Sequence, residues 1–347
     1  MAEKLSADVF FIRYRYHHHS LYSGYDQICN YLGSTLELPG WLDFAGNTVL
    51  RLPAKMLARK ADVFCYGRKD VVLEAYAAYH IWRHRRKVYH FVYAEKSFRY
   101  IRVLGKGRDN ILVGSFHHAP HQYPVMVRHT DHFKRLKHAV VLSTLQIPFL
   151  ETILGKGNVS FIPHGVITDV FKPPDTRVPG PLRCLFVGYH MRDFKNLPRI
   201  VDGILDQHRG VEIHLVSKNP VCKTLGEKDR VFQYDRLSDD EYLAMLQKSD
   251  LLILPLLGST FVTTVLESLS CGVPIVASEG GISDYIDRSS GELVPVGDTD
   301  TFIHVCTNIL GNDSKRHAMS AAARQRALHF SWYSVAEKLK ELYQKLL

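Results

Sequence analysis

Residues 251–278 read LLILPLLGSTFVTTVLESLSCGVPIVAS, and no other stretch restricts the possible folds so strongly. Two runs rich in branched aliphatics, LLILPLL and VPIVAS, flank a small-residue turn and a short helical segment. Runs this apolar are buried on both faces, which places them as neighbouring strands of a parallel sheet joined by a helix. The helix is expected to begin between Phe261 and Thr264. Its first amide groups and positive dipole end then lie at the carboxyl edge of the sheet, where open α/β folds hold phosphates. Glu267 follows one turn later, where a carboxylate can accept hydrogen bonds from ribose hydroxyls. The plain alternative is that Glu267 only complements the helix dipole.

Bulk properties narrow the class. A chain of 347 residues is too long for one ordinary core and suits two domains. With 46% hydrophobic and 23% charged residues and no low-complexity run, both halves can bury a core. The longest apolar run, Leu251 to Leu257, falls far short of the roughly 20 residues that span a bilayer. The opening MAEKLSADVFFIRY lacks a secretory pattern, and the six cysteines show no CxxC spacing. The expected setting is the cytoplasm, with reduced thiols and no cysteine-built zinc site.

Charge is unevenly spread. Up to residue 170 there are 23 Lys and Arg against 13 Asp and Glu; beyond it the numbers are 21 against 22. Residues 79–108 alone hold nine Lys or Arg, one Glu and many aromatics. That composition suits a peripheral contact with an anionic membrane surface or an acidic partner, and the plain alternative is a solvated helix face beside a buried strand. No motif for nucleic acid accompanies the charge, so none is expected as a partner.

Apolar runs alternate with helical-period segments along the chain, the signature of βα units and mainly parallel sheets. Expected strands in the first half are DVFFIRY, ADVFCYG, VYHFVYA, NILVGSF, HAVVLS and VSFIP, with helices around 25–32, 71–83 and 146–154. In the second half they are LRCLFVG, VEIHLVS, RVFQY, SDLLILP, VPIVAS and GELVPV. The proline-rich FKPPDTRVPGPLR reads as a linker. The expected division is a Rossmann-like domain over 1–171, a second over 172–330, and a terminal helix over 331–347 that packs back on the first.

Taken in order, VSFIPHGVITDVFKP, LFVGYHMRDFKNLPRIVDGI, QYDRLSDDEYLAMLQKSDLLILPL, TTVLESLSCGVPIVAS, GELVPVGDTD and FSWYSVAEKL resemble the retaining nucleotide-sugar transferases of glycosyltransferase family four. The first half is similar more loosely, through SGYDQI and SFHHAP. The resemblance implies a GT-B architecture, with two Rossmann-like domains facing each other across a cleft. It also implies a nucleoside-diphosphate sugar donor, with UDP or GDP preferred, a glycan, lipid-linked or small-molecule acceptor, and no required cofactor or metal.

Residue by residue, the resemblance implies that Lys195 contacts the diphosphate, joined by Arg192, which stands three residues beyond the usual place after Gly188. Tyr189 occupies that usual place. Glu267 corresponds to the second acid of a paired-glutamate pattern, implied to bind ribose; the first acid is Ser259 here. Backbone amides of Val262, Thr263, Thr264 and Val265 are implied to cradle phosphates. Tyr234 to Leu237 fall where the base lies, and Gly24 allows close backbone approach. His118, or His117 one residue earlier, is implied to face the transferred sugar.

Other readings of the same residues are weaker. The histidines of HHAPH, with His121, and the run His17 to His19 lack a carboxylate at helical spacing to complete a metal site. Asp298 to Asp300 mimic a metal-binding DxD, yet their place at a helix start favours capping. The expected activity is retaining transfer of a hexose to a hydroxyl. The alternatives are a sugar-nucleotide epimerase of the same fold, or a degenerate binding protein suggested by Ser259 and Tyr189.

Overall fold

The computed structural model describes residues 8–13, 21–64, 66–101, 109–176 and 179–347. His17 to His19, Cys65 and positions 102–108 of the basic stretch lie outside them. The chain divides into two compact units, the first containing Gly24–His164 and Trp332–Leu347, the second Gly165–Ser331.

The first unit contains β1 (Val9–Ile12), β2 (Ser34–Leu36), β3 (Val88–Phe91), β4 (Ile111–Phe116), β5 (His138–Val141) and β6 (Val159–Phe161). All pair in parallel, in the order β2-β1-β3-β4-β5-β6. Strands β3 and β5 are buried along their whole length, as parallel strands covered on both faces must be. The Arg68–Arg83 helix covers one face with Leu73, Ala77, Ala78 and Ile81. The terminal helix Trp332–Leu346 belongs to this unit, where the Tyr343 hydroxyl and His90 Nδ1 share a 2.5 Å hydrogen bond.

One expected strand is absent. Among the described residues ADVFCYG forms only an isolated antiparallel bridge from Val63 to Val127. Val63 packs under a short helix pair, Gly40–Asn47 and Arg51–Lys60, while Phe64 is exposed. The edge position goes instead to β2, whose three residues bury only Leu36. The segment expected as a helix from Tyr25 begins as a 3₁₀ turn, Tyr25–Asn30.

The second unit contains β7 (Leu182–Val187), β8 (Val211–Val216), β9 (Val231–Tyr234), β10 (Leu251–Leu254), β11 (Ile275–Ser278) and β12 (Gly291–Val294). Its parallel order is β12-β11-β10-β7-β8-β9. Every residue of β10 and β11 is buried, and the two strands are neighbours, as their composition requires. The Leu197–Gln207 helix presents Leu197, Ile200, Val201 and Ile204 to the core from a strongly amphipathic sequence.

Candidate functional site

The chain runs outward from β7 through β8 to β9, then returns to place β10 on the other side of β7. Strand order reverses there, so the carboxyl ends of β7 and β10 diverge and leave the crevice in which open α/β sheets bind ligands. Two loops meet at this edge. Asp193 N–H donates to Pro255 O at 2.9 Å and Leu257 N–H to Met191 O at 3.0 Å, tying the loop after β7 to the loop after β10.

Gly188 ends β7 with φ 105°, and a Cβ there would lie 2.6 Å from Arg192 Nη2. Only glycine lets the arginine fold back under the strand end. Arg192 is buried, donating from Nε to Val187 O and from Nη1 to His190 O, each at 2.9 Å. Burial pulls its pKa down to about 10, so it remains a cation at neutral pH. Asp193, also buried, accepts from the Asn196 amide at 3.1 Å and from its side chain at 2.7 Å, fixing the start of the Leu197–Gln207 helix. Lys195 stands on that turn, exposed and bonded to no acid among the described residues. Tyr189 is exposed and packs near Phe194.

On the β10 side, the Thr263–Ser270 helix starts at Val262 with no side-chain cap; the Val265 amide, expected among the phosphate cradle, instead donates to Val262 O at 2.9 Å and closes the first turn, which leaves the amides before it for solvent or ligand. Glu267 is buried on this helix and accepts a 2.7 Å hydrogen bond from the Tyr242 hydroxyl. Burial pushes its pKa up to about 7; the tyrosine opposes the rise and Asp239 adds to it. Tyr242, which the sequence reading did not single out, is thus what holds this acid. Ser259 Oγ is buried without a hydrogen-bond partner. Tyr234, the last residue of β9, and Leu237 in the loop beyond it are half-buried; the Tyr234 hydroxyl lies 3.3 Å from His214 Nδ1 and the two rings stack. Asp298 caps the Thr299–Leu310 helix, accepting from Thr301 N at 3.1 Å, the capping role its position suggests.

The histidine loop of the first unit is built differently. Gly114 in β4 has no Cβ, and one would lie 2.6 Å from Ala94 Cβ; its absence lets the short Ala94–Ser97 helix press onto the strand. Buried Glu95 then receives the His117 amide at 2.5 Å and the His118 amide at 3.1 Å, with His117 Nδ1 3.5 Å from its other oxygen. Burial alone would raise the Glu95 pKa, but His117 and His118 outweigh it and hold it down at about 2. Gln146 completes the frame, donating to Phe116 O and His118 O at 3.0 Å each. The His117 ring sits among Tyr25 and Tyr93, while His118 is half-buried next to it and His121 is exposed. Glu95 and Gln146 gave no sequence signal. Gly24 precedes the Tyr25–Asn30 turn with φ 105°. Of the basic stretch, Tyr79, Trp82, Arg83, Arg85 and Arg86 are exposed, whereas Tyr89 and Phe91 are core. No cluster of three or more potential metal ligands occurs among the described residues.

Two all-parallel six-stranded α/β units in one chain define a GT-B fold, and comparison with solved structures places this chain in that class. A glycosyltransferase from Rickettsia africae matches with a TM-score of 0.67 at 15% identity, over 98% of either chain. Anabaena HepE, solved in complex with UDP, matches with a TM-score of 0.64 at 14% identity, over 79% of this chain and 82% of that one. Residues 181–312 match the family model for Glycosyl transferases group 1. Among curated proteins, the MMP alpha-(1->4)-mannosyltransferase of Mycolicibacterium hassiacum is 29% identical over 199 residues, 54% of this chain and 48% of that protein. The D-inositol 3-phosphate glycosyltransferase of Corynebacterium diphtheriae is 29% identical over 125 residues, 35% and 29% of the two chains. The chain therefore spans less than half the length of these relatives, and the family-model match lies within the second unit.

Proposed function

We propose that this protein is a glycosyltransferase that moves a hexose from a nucleoside-diphosphate sugar to a hydroxyl acceptor with retention of anomeric configuration. The observation that carries the reading is the composition of one sheet edge: the loop after β7, which bears Arg192 and Lys195, is hydrogen-bonded to the loop after β10, and that second loop leads into an uncapped helix start with Glu267 one turn on. Departure of a sugar leaves negative charge on a diphosphate. Fixed cations and backbone amides in a sheltered crevice stabilise that charge without reorganising during the reaction. Lys195 is free to meet the phosphates as a point charge, and Arg192 supplies a pre-oriented fork. Glu267, steadied by Tyr242, accepts the ribose hydroxyls, and the Tyr234–Leu237 loop lies against the base. UDP and GDP are the preferred donors; the likeness to a chain solved in complex with UDP fits a nucleotide ligand.

With retention, the leaving phosphate oxygen itself takes the acceptor proton on the face it vacates, so the reaction needs no pair of carboxylates as most glycosidases do. It also needs no divalent ion, since Lys195 and Arg192 do the neutralising. In the first unit, His118 or His117, on the loop held by Glu95 and Gln146, is the candidate for a contact with sugar. The acceptor is a glycan, a lipid-linked sugar or a small molecule, and the exposed Tyr79, Trp82 and neighbouring arginines fit an approach to an anionic membrane. The test is release of free nucleoside diphosphate from UDP- and GDP-hexoses across an acceptor panel. Release that depends on an acceptor supports transfer. Conversion of donor alone into another sugar nucleotide would mean an epimerase, and binding without turnover a carrier protein.

A further inference from the structure

Two helices of the first unit carry their large apolar residues on the side away from the core. In Gly40–Asn47 the inward positions are Leu42 and Gly46; a Cβ on Gly46 would lie 2.9 Å from Val72 Cγ2, so this helix rests directly on Arg68–Arg83. In Arg51–Lys60 the inward positions are Ala54 and Ala58, packed in the same small cluster with Val71 and Val72. Helical geometry puts Trp41 and Phe44 opposite the first pair, and Leu52 and Met56 opposite the second. These four are 68%, 69%, 72% and 61% exposed, and Val49 in the turn between the helices is 85% exposed. A lone exposed leucine needs no explanation, but five large apolar residues on one helix pair do.

Charge identifies what covers them. Arg51–Lys60 carries Arg51, Lys55, Arg59 and Lys60 and no acid; all four cations are exposed, and none pairs with an acid among the described residues. Lys55 and Arg59 lie to one side of the Leu52–Met56 stripe and Lys60 to the other. Asp43, the acid between Trp41 and Phe44, is engaged by Lys69 at 3.1 Å. A second copy of this chain meeting the same patch about a twofold axis would oppose cation to cation. An anionic lipid interface instead accepts both components, apolar side chains at the acyl boundary and lysine and arginine at the phosphates.

We infer that the Gly40–Asn47 and Arg51–Lys60 helices dock the first unit on an anionic phospholipid surface, with Trp41, Phe44, Leu52 and Met56 entering the interface. This contact is separate from residues 79–108 and needs no sugar donor, so its fate is independent of the transferase reading.

The test is flotation of the full chain with phosphatidylglycerol/phosphatidylcholine vesicles and with phosphatidylcholine alone. Flotation is expected with the anionic vesicles, weakening but persisting as salt rises from about 50 to about 300 mM, because screening acts on the charges and not on the apolar insertion. The F44S/L52S/M56S variant is expected to bind about tenfold less, and K55E/R59E to lose binding most at low salt. All five positions are solvent-facing, and unchanged melting verifies the fold of each variant. The inference is overturned if the wild-type chain fails to float with anionic vesicles, or if both variants float as it does. It is equally overturned if the apolar variant only converts an oligomer to a monomer while flotation stays the same.

Discussion

The crevice edge of the second sheet and the histidine loop of the first solve opposite electrostatic problems. In the histidine loop, the buried charge is balanced internally: Glu95 takes two backbone amides and faces His117, leaving a rigid frame with its carboxylate fully engaged. At the β7/β10 edge two cations outnumber the one buried acid of the loop: Arg192 donates to backbone carbonyls, Lys195 pairs with no acid among the described residues, Asp193 is engaged by Asn196, and Glu267 has its pKa lifted to about 7. A balanced cluster holds structure in place. A surplus of one sign at the mouth of a parallel sheet recruits a ligand of the other sign. The two regions therefore should respond differently to mutation, one in stability and the other in binding and turnover.

The largest separation is expected from Lys195→Ala, which should lower turnover about 10²–10³-fold with melting unchanged, as for loss of one group that stabilises developing charge. Steady-state kinetics beside a melting curve checks both halves of that statement. Glu95→Ala should do the reverse in kind, costing roughly 3 kcal/mol of stability by removing one partner of a buried, hydrogen-bonded pair. Because the Glu95 pKa is depressed in the fold, the stability it provides is present above its unfolded value and is lost as pH falls from about 4.5 toward about 2. Denaturation curves of the wild type and of Glu95→Gln over that window should converge at the acid end.

Glu267 has the opposite sign. Its raised pKa means that the folded state holds a proton more tightly than the unfolded chain, so its contribution to stability falls as pH rises from about 4.5 through about 7. Glu267→Gln should therefore gain in melting temperature relative to wild type on going from pH 5 to pH 8, while binding nucleotide about tenfold more weakly, as expected for loss of a charge-assisted acceptor. The smallest effect is expected from Tyr242→Phe. Removing the hydroxyl that donates to Glu267 should shift the pH midpoint of nucleotide binding upward and cost about 1 kcal/mol of stability.

What could be read in the sequence follows the same physics. Strands β10 and β11 were legible because burial on both faces selects aliphatics at every position but Ser278, and the crossover between them placed the helix start and Glu267. Lys195 and Arg192 were singled out through the resemblance carried by LFVGYHMRDFKN, in which Tyr189 rather than an arginine follows Gly188. Tyr242 was not, because it reaches Glu267 across 25 residues from a helix with no distinguishing pattern. Glu95 likewise meets the His117 amide across 22 residues. In the first half ADVFCYG alternates like a strand, yet it only joins helices, while the true edge strand β2 buries a single leucine. The Gly40–Asn47 and Arg51–Lys60 helices escaped notice for a reason that bears on function. Apart from Leu42 their inward positions are glycine and alanine, while their outer faces carry tryptophan, phenylalanine, leucine and methionine, the reverse of the pattern by which a core-facing helix is recognised.

Calorimetric titration of the wild-type chain and Lys195→Ala with UDP and with GDP tests the central claim most directly. The account predicts saturable binding of at least one of the two to the wild-type chain, weakened about tenfold or more in the variant at pH 7. Absence of heat with both nucleotides, or equal affinity in the two proteins, would contradict a diphosphate site at the edge where β7 and β10 part.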